Sequence, residues 1–175
     1  MNTIYSIKLY VFICLLAPLA AWAQKNLQPS DSIIISGSIT NETVIPLASL
    51  SKFITHEIGD FVVTNHLGEK KSTLKGLKGV LLKELLAGVD ITVESPKQLS
   101  EFYFVFAATD GYKVVYSWNE IFNNPAGNNI FVVTEKEGIK ATVMSERILM
   151  LNSADEKTGR RLIKALQRIE VRRAL

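Results

Sequence analysis

The side chains best suited to chemistry are a histidine and a carboxylate–phenol pair, each placed in a turn. His66 precedes Gly68 in a predicted turn, where its ring nitrogens are candidates to face a ligand, and histidine is the side chain type that ordinarily changes charge near neutral pH. Asp110 and Tyr112 flank a glycine and offer a carboxylate and a phenol to a ligand. Each residue also has a structural interpretation: an ordinary turn histidine, an aspartate that shapes its own turn, and a tyrosine packed beside a strand.

A second group of candidates is basic and lies late in the chain. It comprises Arg147, Lys157, Arg160 and Arg161. Guanidinium groups donate paired hydrogen bonds to phosphate or sulfate, so these residues predict a site for a small anion. The alternative is a solvated basic turn, because clustered charges usually lie on the surface.

Several kinds of site are excluded or disfavoured by residue types. The single cysteine, Cys14, lies in the apolar N-terminal stretch, so the remaining chain has no thiolate and no disulfide. His56 and His66 have no third ligand nearby at a metal-binding interval, so we predict no metal site. We find no Ser-His-Asp order, glycine-rich phosphate loop or paired carboxylates, and we assign no catalytic residue.

The charge balance disfavours nucleic acid as a partner. The chain has 20 basic and 17 acidic residues, a formal net charge of +3. A nucleic-acid-binding protein usually gathers its basic residues on one face. Here they form only short clusters along the sequence, Lys70-Lys71 and the tail residues Arg168, Arg172 and Arg173. We therefore predict that the protein does not bind nucleic acid.

The N-terminal segment is predicted to be a signal peptide. One early lysine precedes the apolar stretch 9–20 and the triplet Ala-Trp-Ala, which favours cleavage before Gln24. The stretch is shorter than the ~20 residues that a membrane-spanning helix needs. We therefore expect an exported protein, periplasmic or secreted, with no membrane span after cleavage. The sequence divides into a signal peptide (1–23), a polar linker (24–31) and one domain (32–175).

Hydrophobic patterns in the domain predict strands alternating with short helices. The most apolar segment, 101–108, is predicted to be a buried central strand. Ser117 is expected to cap a short helix, and a loop or helical turn should carry the late basic residues. Helices are predicted at 46–53, 80–86 and 118–122. Strands are predicted at 33–39, 58–64, 101–108, 112–116, 130–135, 147–152 and 165–171. With no repeat and no second core, the pattern indicates a single, mixed, strand-rich α+β domain.

The order of four motifs carries a family resemblance. They are Gly-Ser-Ile at 37–39, Gly-Val-Leu-Leu-Lys-Glu-Leu-Leu at 79–86, Ala-Thr-Asp-Gly-Tyr running into a strand at 108–117, and Gln-Arg-Ile-Glu-Val at 167–171. Over residues 32–173 the chain resembles the oxidoreductase molybdopterin-binding domain of the sulfite oxidase superfamily. The third motif is the most specific of the four.

This resemblance implies a mixed α+β fold and, in catalytic members, molybdenum held by a pterin dithiolene and one cysteine thiolate. The chain departs from that pattern because the ligand cysteine is missing, and it resembles the short, stand-alone exported members. Molybdopterin binding through hydrogen bonds and arginines stays open. The resemblance places Arg147, Lys157, Arg160 and Arg161 on loops that approach the cofactor phosphate.

Three functional hypotheses follow. The first is a non-catalytic or cofactor-impaired module that binds a ligand or partner outside the cytoplasm. The second is an exported molybdopterin-dependent oxidoreductase with a non-cysteine metal ligand. The third is a structural partner of another envelope protein, whose mark would be an exposed apolar patch.

Overall fold

The computed structural model describes residues 27–174, which fold into two β-sheets that share one core. The signal peptide predicted at 1–23 lies outside the described residues. Among residues 27–174, no helix is both long and apolar enough to cross a membrane. The fold is α+β and strand-rich, as the sequence predicts. Its strands are β1 Ser32–Gly37, β2 Thr43–Pro46, β3 His56–Thr64, β4 Lys70–Leu81, β5 Phe102–Ala108, β6 Lys113–Ser117, β7 Ile130–Lys136, β8 Ile139–Lys140, β9 Leu149–Asn152 and β10 Leu166–Arg173.

The helices are short. Within residues 27–174 the two α-helices are Leu82–Leu85 and Trp118–Phe122. The 3-10 helices are Leu47–Lys52, Pro96–Glu101, Pro125–Asn129, Ala141–Val143 and Thr158–Arg161.

The first sheet has the strand order β2-β1-β10-β5-β6, with β10 parallel to β1 and antiparallel to β5. The phenylalanines at 102, 104 and 106 are almost fully buried, so β5 lies in the core as the sequence predicts. The centre of the sheet, however, is β10. The C-terminal strand inserts between β1 and β5, and local sequence patterns carry no information about such long-range pairing.

The second sheet has the order β3-β4-β7-β8, with β9 pairing to the other part of β7. The predicted helix at 80–86 is wrong in its first half. Val80 and Leu81 continue β4 and pair with Val132 and Phe131, and only Leu82–Leu85 is helical. The apolar spacing fits either a helix face or a buried strand, and pairing with β7 decides between them.

The predicted cap at Ser117 is confirmed by the hydrogen bonds. Ser117 Oγ accepts from the Glu120 backbone N–H at 3.1 Å, while the Glu120 carboxylate accepts from the Ser117 N–H at 2.8 Å. This capping box fixes the start of the helix Trp118–Phe122. Residues 27–31, the end of the predicted linker, run along the domain, and Ser30 Oγ donates to the Leu166 carbonyl at 2.6 Å.

Candidate functional site

Asp110 and Tyr112 lie in the turn between β5 and β6. The Asp110 carboxylate accepts from the Tyr112 backbone N–H at 2.8 Å, so Asp110 shapes the turn itself. The Tyr112 side chain reaches out of the turn, and its hydroxyl donates to the backbone carbonyl of Arg160 at 2.5 Å. This bond joins the β5–β6 turn to the 3-10 helix Thr158–Arg161, which we name the basic turn.

The basic turn is also anchored to the end of β3. Thr158 Oγ1 donates to the Val62 carbonyl at 2.6 Å and accepts from the Thr64 N–H at 2.9 Å. A Cβ atom at Gly159 would lie 2.2 Å from the Thr64 carbonyl oxygen, so only glycine allows this close approach. The basic turn is therefore held from two sides, by β3 and by the Tyr112 hydroxyl.

Two open clefts flank the basic turn. The first has a volume of 280 Å³, and its walls include Ala108, Asp110, Tyr112, Gly159, Leu162 and Lys164. The second has a volume of 370 Å³ and is lined by Asp155, Glu156, Lys157, Arg160 and Arg161. Because Tyr112 bonds to Arg160, the residues predicted in the β5–β6 turn and in the late loop meet on one surface.

Arg161 is committed to contacts within the protein. Its guanidinium donates from Nε to Asp155 Oδ2 at 2.8 Å and from Nη1 to Glu120 Oε1 at 3.1 Å, and Nη2 also bonds to Asp155. The guanidinium carbon lies 4.3 Å from the ring centroid of Tyr116, a fully buried side chain. We name these four residues, Arg161, Asp155, Glu120 and Tyr116, the arginine latch.

The pKa values of the arginine latch follow from these contacts. The hydrogen bond to Asp155 raises the pKa of Arg161, although partial burial opposes this. Burial opposes ionisation of Glu120, but hydrogen bonds from Ser117 and Arg161 outweigh it and lower the Glu120 pKa. Burial raises the pKa of Tyr116. These shifts favour a charged Arg161, an ionised Glu120 and a neutral Tyr116 phenol at neutral pH.

Arg160 contrasts with its neighbour. Its backbone is fixed by Tyr112, but the residue is exposed, and it makes no ion pair with any residue of 27–174. Lys157 lines the same cleft and Lys164 lines the other, and both are exposed. These three cations are the groups on this surface that remain available to an anionic ligand.

His66 lies at the exposed tip of the β3–β4 hairpin. The hairpin is organised by Asn65, whose Oδ1 accepts from the backbone N–H groups of Leu67 and Glu69 at 2.9 and 3.0 Å. His66 lines neither cleft of the basic turn. The structural interpretation, an ordinary turn histidine, describes this placement.

Arg147 is also separate from the two clefts. It adopts a positive φ of 48° between the 3-10 helix Ala141–Val143 and β9, and it pairs with Asp31 in the segment that precedes β1. The structure therefore gathers Asp110, Tyr112, Arg160 and Arg161 on one surface and leaves His66 and Arg147 off the cleft walls.

The donor set of this domain does not fit a thiolate-held molybdenum. Residues 27–174 contain no cysteine, and no three His, Cys, Asp or Glu side chains among them are grouped to hold a metal ion. A soft metal bound through a protein thiolate has no anchor here. The exposed cations on and beside the basic turn, Arg160, Lys157 and Lys164, fit only the anionic, phosphate-like part of such a cofactor.

Sequence reasoning missed the partners of the arginine latch. Glu120 lies 41 positions from Arg161, so no local pattern connects the two residues. Gly159 and Thr158 were also missed, because their contacts run to β3, 94 positions away from Thr158. The sequence marks only a late basic cluster.

The sequence matches no protein-family model and no curated protein. Among solved structures, the chain is similar to the sulfane dehydrogenase SoxCD from Paracoccus pantotrophus, with a TM-score of 0.55 and 12% identity. The match covers 80% of this chain and 37% of the sulfane dehydrogenase chain, so this chain corresponds to about a third of that protein. The two chains therefore share a fold over the matched residues.

Proposed function

We propose that this protein is an exported, non-catalytic module that binds a small anion of the phosphate or sulfate type at the basic turn. The observation that carries the proposal is the exposed Arg160, whose backbone is fixed from two sides while its guanidinium is unpaired among the described residues. Because the backbone of the basic turn is already ordered, anion binding has to order only the Arg160 side chain, which limits the entropy cost of capture.

The neighbouring side chains define how the anion would be held. Lys157 and Lys164 flank Arg160 on the two clefts and supply further positive charge. Arg161 already donates to two carboxylates, so it takes no part in binding. Only one of the two adjacent arginines therefore faces the ligand.

Calorimetric titration with inorganic sulfate, sulfite and phosphate tests this proposal. Wild type should bind at least one of the three anions, and Arg160→Ala should remove most of the binding. Lys97→Ala, which removes an exposed cation that lines neither cleft, is the control and should bind as wild type does. Absence of binding by wild type, or equal loss in both variants, would leave the basic turn as ordinary surface charge.

A second candidate is a molybdopterin-dependent oxidoreductase with a non-cysteine metal ligand, favoured by the fold shared with a sulfane dehydrogenase. When bound, that cofactor would supply oxygen-atom transfer or reduction. Metal analysis of protein purified from a host that makes the cofactor separates the candidates. Stoichiometric molybdenum with pterin fluorescence would establish the second and overturn the first, whereas anion binding without molybdenum would support the first.

A further inference from the structure

The outward face of the first sheet carries a pattern that the basic turn does not explain. On β10, Ile169 and Val171 are fully buried, so Arg168, Glu170 and Arg172 point to the opposite side. On β6, Val114 and Tyr116 are buried, and the alternate residues face outward in the same way. We name this side of β1, β10, β5 and β6 the outer sheet face.

The strand registers bring its residues into rows. One row runs Ile34, Arg168, Ala107 and Lys113 across four strands. The next row runs Ser36, Glu170, Val105 and Val115, and a third runs Arg172, Tyr103 and Ser117. Arg168 and Lys113 are 55 positions apart in sequence, but their backbones lie only about 10 Å apart, because a single strand separates them.

The outer sheet face is positively charged. Three cations, Lys113, Arg168 and Arg172, surround the single carboxylate of Glu170. Arg172 donates to Glu170 at 2.8 Å, and this bond, with the fields of Lys113 and Arg168, lowers the Glu170 pKa. Glu170 therefore stays ionised and neutralises one of the three cations, leaving a net charge of +2.

Apolar and aromatic groups lie between the charges. Val115 is 52% exposed, and Tyr103 and Ile34 are partly exposed. Arginine and tyrosine beside aliphatic side chains are typical of protein interfaces, whose energetic centres are enriched in Arg and Tyr. No helix or strand within residues 27–174 joins this sheet other than its own five strands.

From this arrangement we infer that the outer sheet face docks another protein through an acidic surface segment, with Arg168 and Lys113 as the main contacts. Carboxylates of the partner would meet Arg168, Lys113 and Arg172, while its apolar groups would cover Val115 and Tyr103. This surface is distinct from the basic turn, so a small anion and a partner protein have separate sites.

Two other occupants fit less well. A second copy of this chain would oppose identical positive faces in a two-fold dimer, and like charges across an interface are unfavourable. An anionic membrane gives about 1 kcal/mol for each basic residue near it, and with a net charge of +2 on a flat sheet this yields only weak adsorption. An acidic protein segment uses both the charge and the apolar rows.

The test uses a fluorescein-labelled poly-glutamate peptide of about 20 residues, a length comparable to one side of a protein interface. Fluorescence anisotropy follows its binding to the whole protein at about 20 mM salt, where charge attraction is weakly screened. A poly-glutamine peptide controls for the backbone. Two further probes are also negatively charged but belong to other classes of partner. One is a vesicle that contains phosphatidylglycerol, and the other is a single-stranded oligonucleotide.

Two charge-matched double variants locate the site. Lys113→Glu with Arg168→Glu reverses the outer sheet face, and Lys52→Glu with Lys97→Glu makes the same charge change at exposed positions elsewhere. The face variant should weaken peptide binding by about tenfold or more, which corresponds to 1.4 kcal/mol. The control variant should lose clearly less binding than the face variant, because it changes the overall charge equally but touches no contact of the peptide.

The variants must keep the wild-type melting temperature, which both should do because all four positions are exposed. If the face variant has a lower melting temperature than wild type, the double variant Lys113→Gln with Arg168→Gln replaces it in the same titration. Equal losses in the face and control variants, or no binding of poly-glutamate, would overturn the inference. Tighter binding of vesicles or oligonucleotide than of the peptide would also overturn it, by assigning the face to a lipid or nucleic-acid partner.

Discussion

Arg160 and Arg161 are adjacent in sequence but belong to two different regions of the molecule. Arg161 turns inward, stacks over Tyr116 and bonds to two carboxylates, so its charge is used for structure. Arg160 turns outward with its backbone fixed and its guanidinium exposed. One short turn thus separates a structural cation from one that is available to a ligand.

Residue type alone does not distinguish the structural role of Arg161 from the proposed binding role of Arg160. Both residues are arginines in the same 3-10 helix, and both line the same cleft. What separates them is the position of Asp155 and Glu120, which lie on the side that Arg161 faces. A substitution should therefore affect folding at one position and binding at the other.

The largest expected effect comes from the core on which both regions rest. Phe106 is fully buried and packs edge-on against Tyr116, with ring centroids 5.6 Å apart. Phe106→Ala should lower the free energy of unfolding by about 3–5 kcal/mol through lost burial and a residual cavity. Denaturant titration measures this, and a loss below about 1 kcal/mol would contradict the central place of β5 in the core.

The next effect compares the two arginines directly. Arg161→Ala should lower the free energy of unfolding by about 1–3 kcal/mol, because it leaves the largely buried Asp155 carboxylate without its partner. The estimate is below that for a fully buried pair, since solvent reaches part of the Arg161 side chain. Arg160→Ala is the matched control and should stay within about 0.5 kcal/mol. Equal losses in both variants would remove the distinction between the two regions.

The dependence of stability on pH tests whether Glu120 acts through its charge. The folded protein lowers the Glu120 pKa below its usual value of 4.5, so the ionised form stabilises the fold. That stability is fully present above the unfolded pKa and is lost as the pH falls through the folded one. Glu120→Gln should therefore be less stable than wild type at neutral pH, and the difference should shrink as the pH falls below 4.5. A constant difference between pH 7 and pH 3 would contradict a charged role for Glu120.

Local patterns were sufficient to predict much of this fold. The buried phenylalanines of β5, the capping box at Ser117 and the late basic turn are all encoded by neighbouring residues. The short strands β2 and β8 were missed, because four and two residues give too little periodicity.

The relation between distant segments was not predictable from one sequence. In the sequence, Lys113 is far from the tail residues Arg168 and Arg172. Only the pairing of β10 and β6 with β5 brings these three cations to one face. The same holds for Thr158 and Thr64, which meet because the basic turn packs on β3. Such contacts depend on the register of strands that lie far apart in sequence.

The smallest expected effect concerns the hydroxyl of Tyr116. The atom is buried and has no hydrogen bond of good geometry among residues 27–174, although burial raises its pKa and the Asn152 side chain is close enough to oppose that rise. The ring packs against Phe106 and under the Arg161 guanidinium. A buried hydroxyl without a partner gives no hydrogen-bond energy but has lost its contact with water, and phenylalanine keeps the same ring. Tyr116→Phe should therefore leave the free energy of unfolding within about 1 kcal/mol of wild type or raise it. Tyr116→Leu, which removes the stacked ring, is the control and should be clearly destabilising. A loss above about 2 kcal/mol for Tyr116→Phe, measured by denaturant titration, would show that the hydroxyl is bonded and belongs to the polar network of the arginine latch.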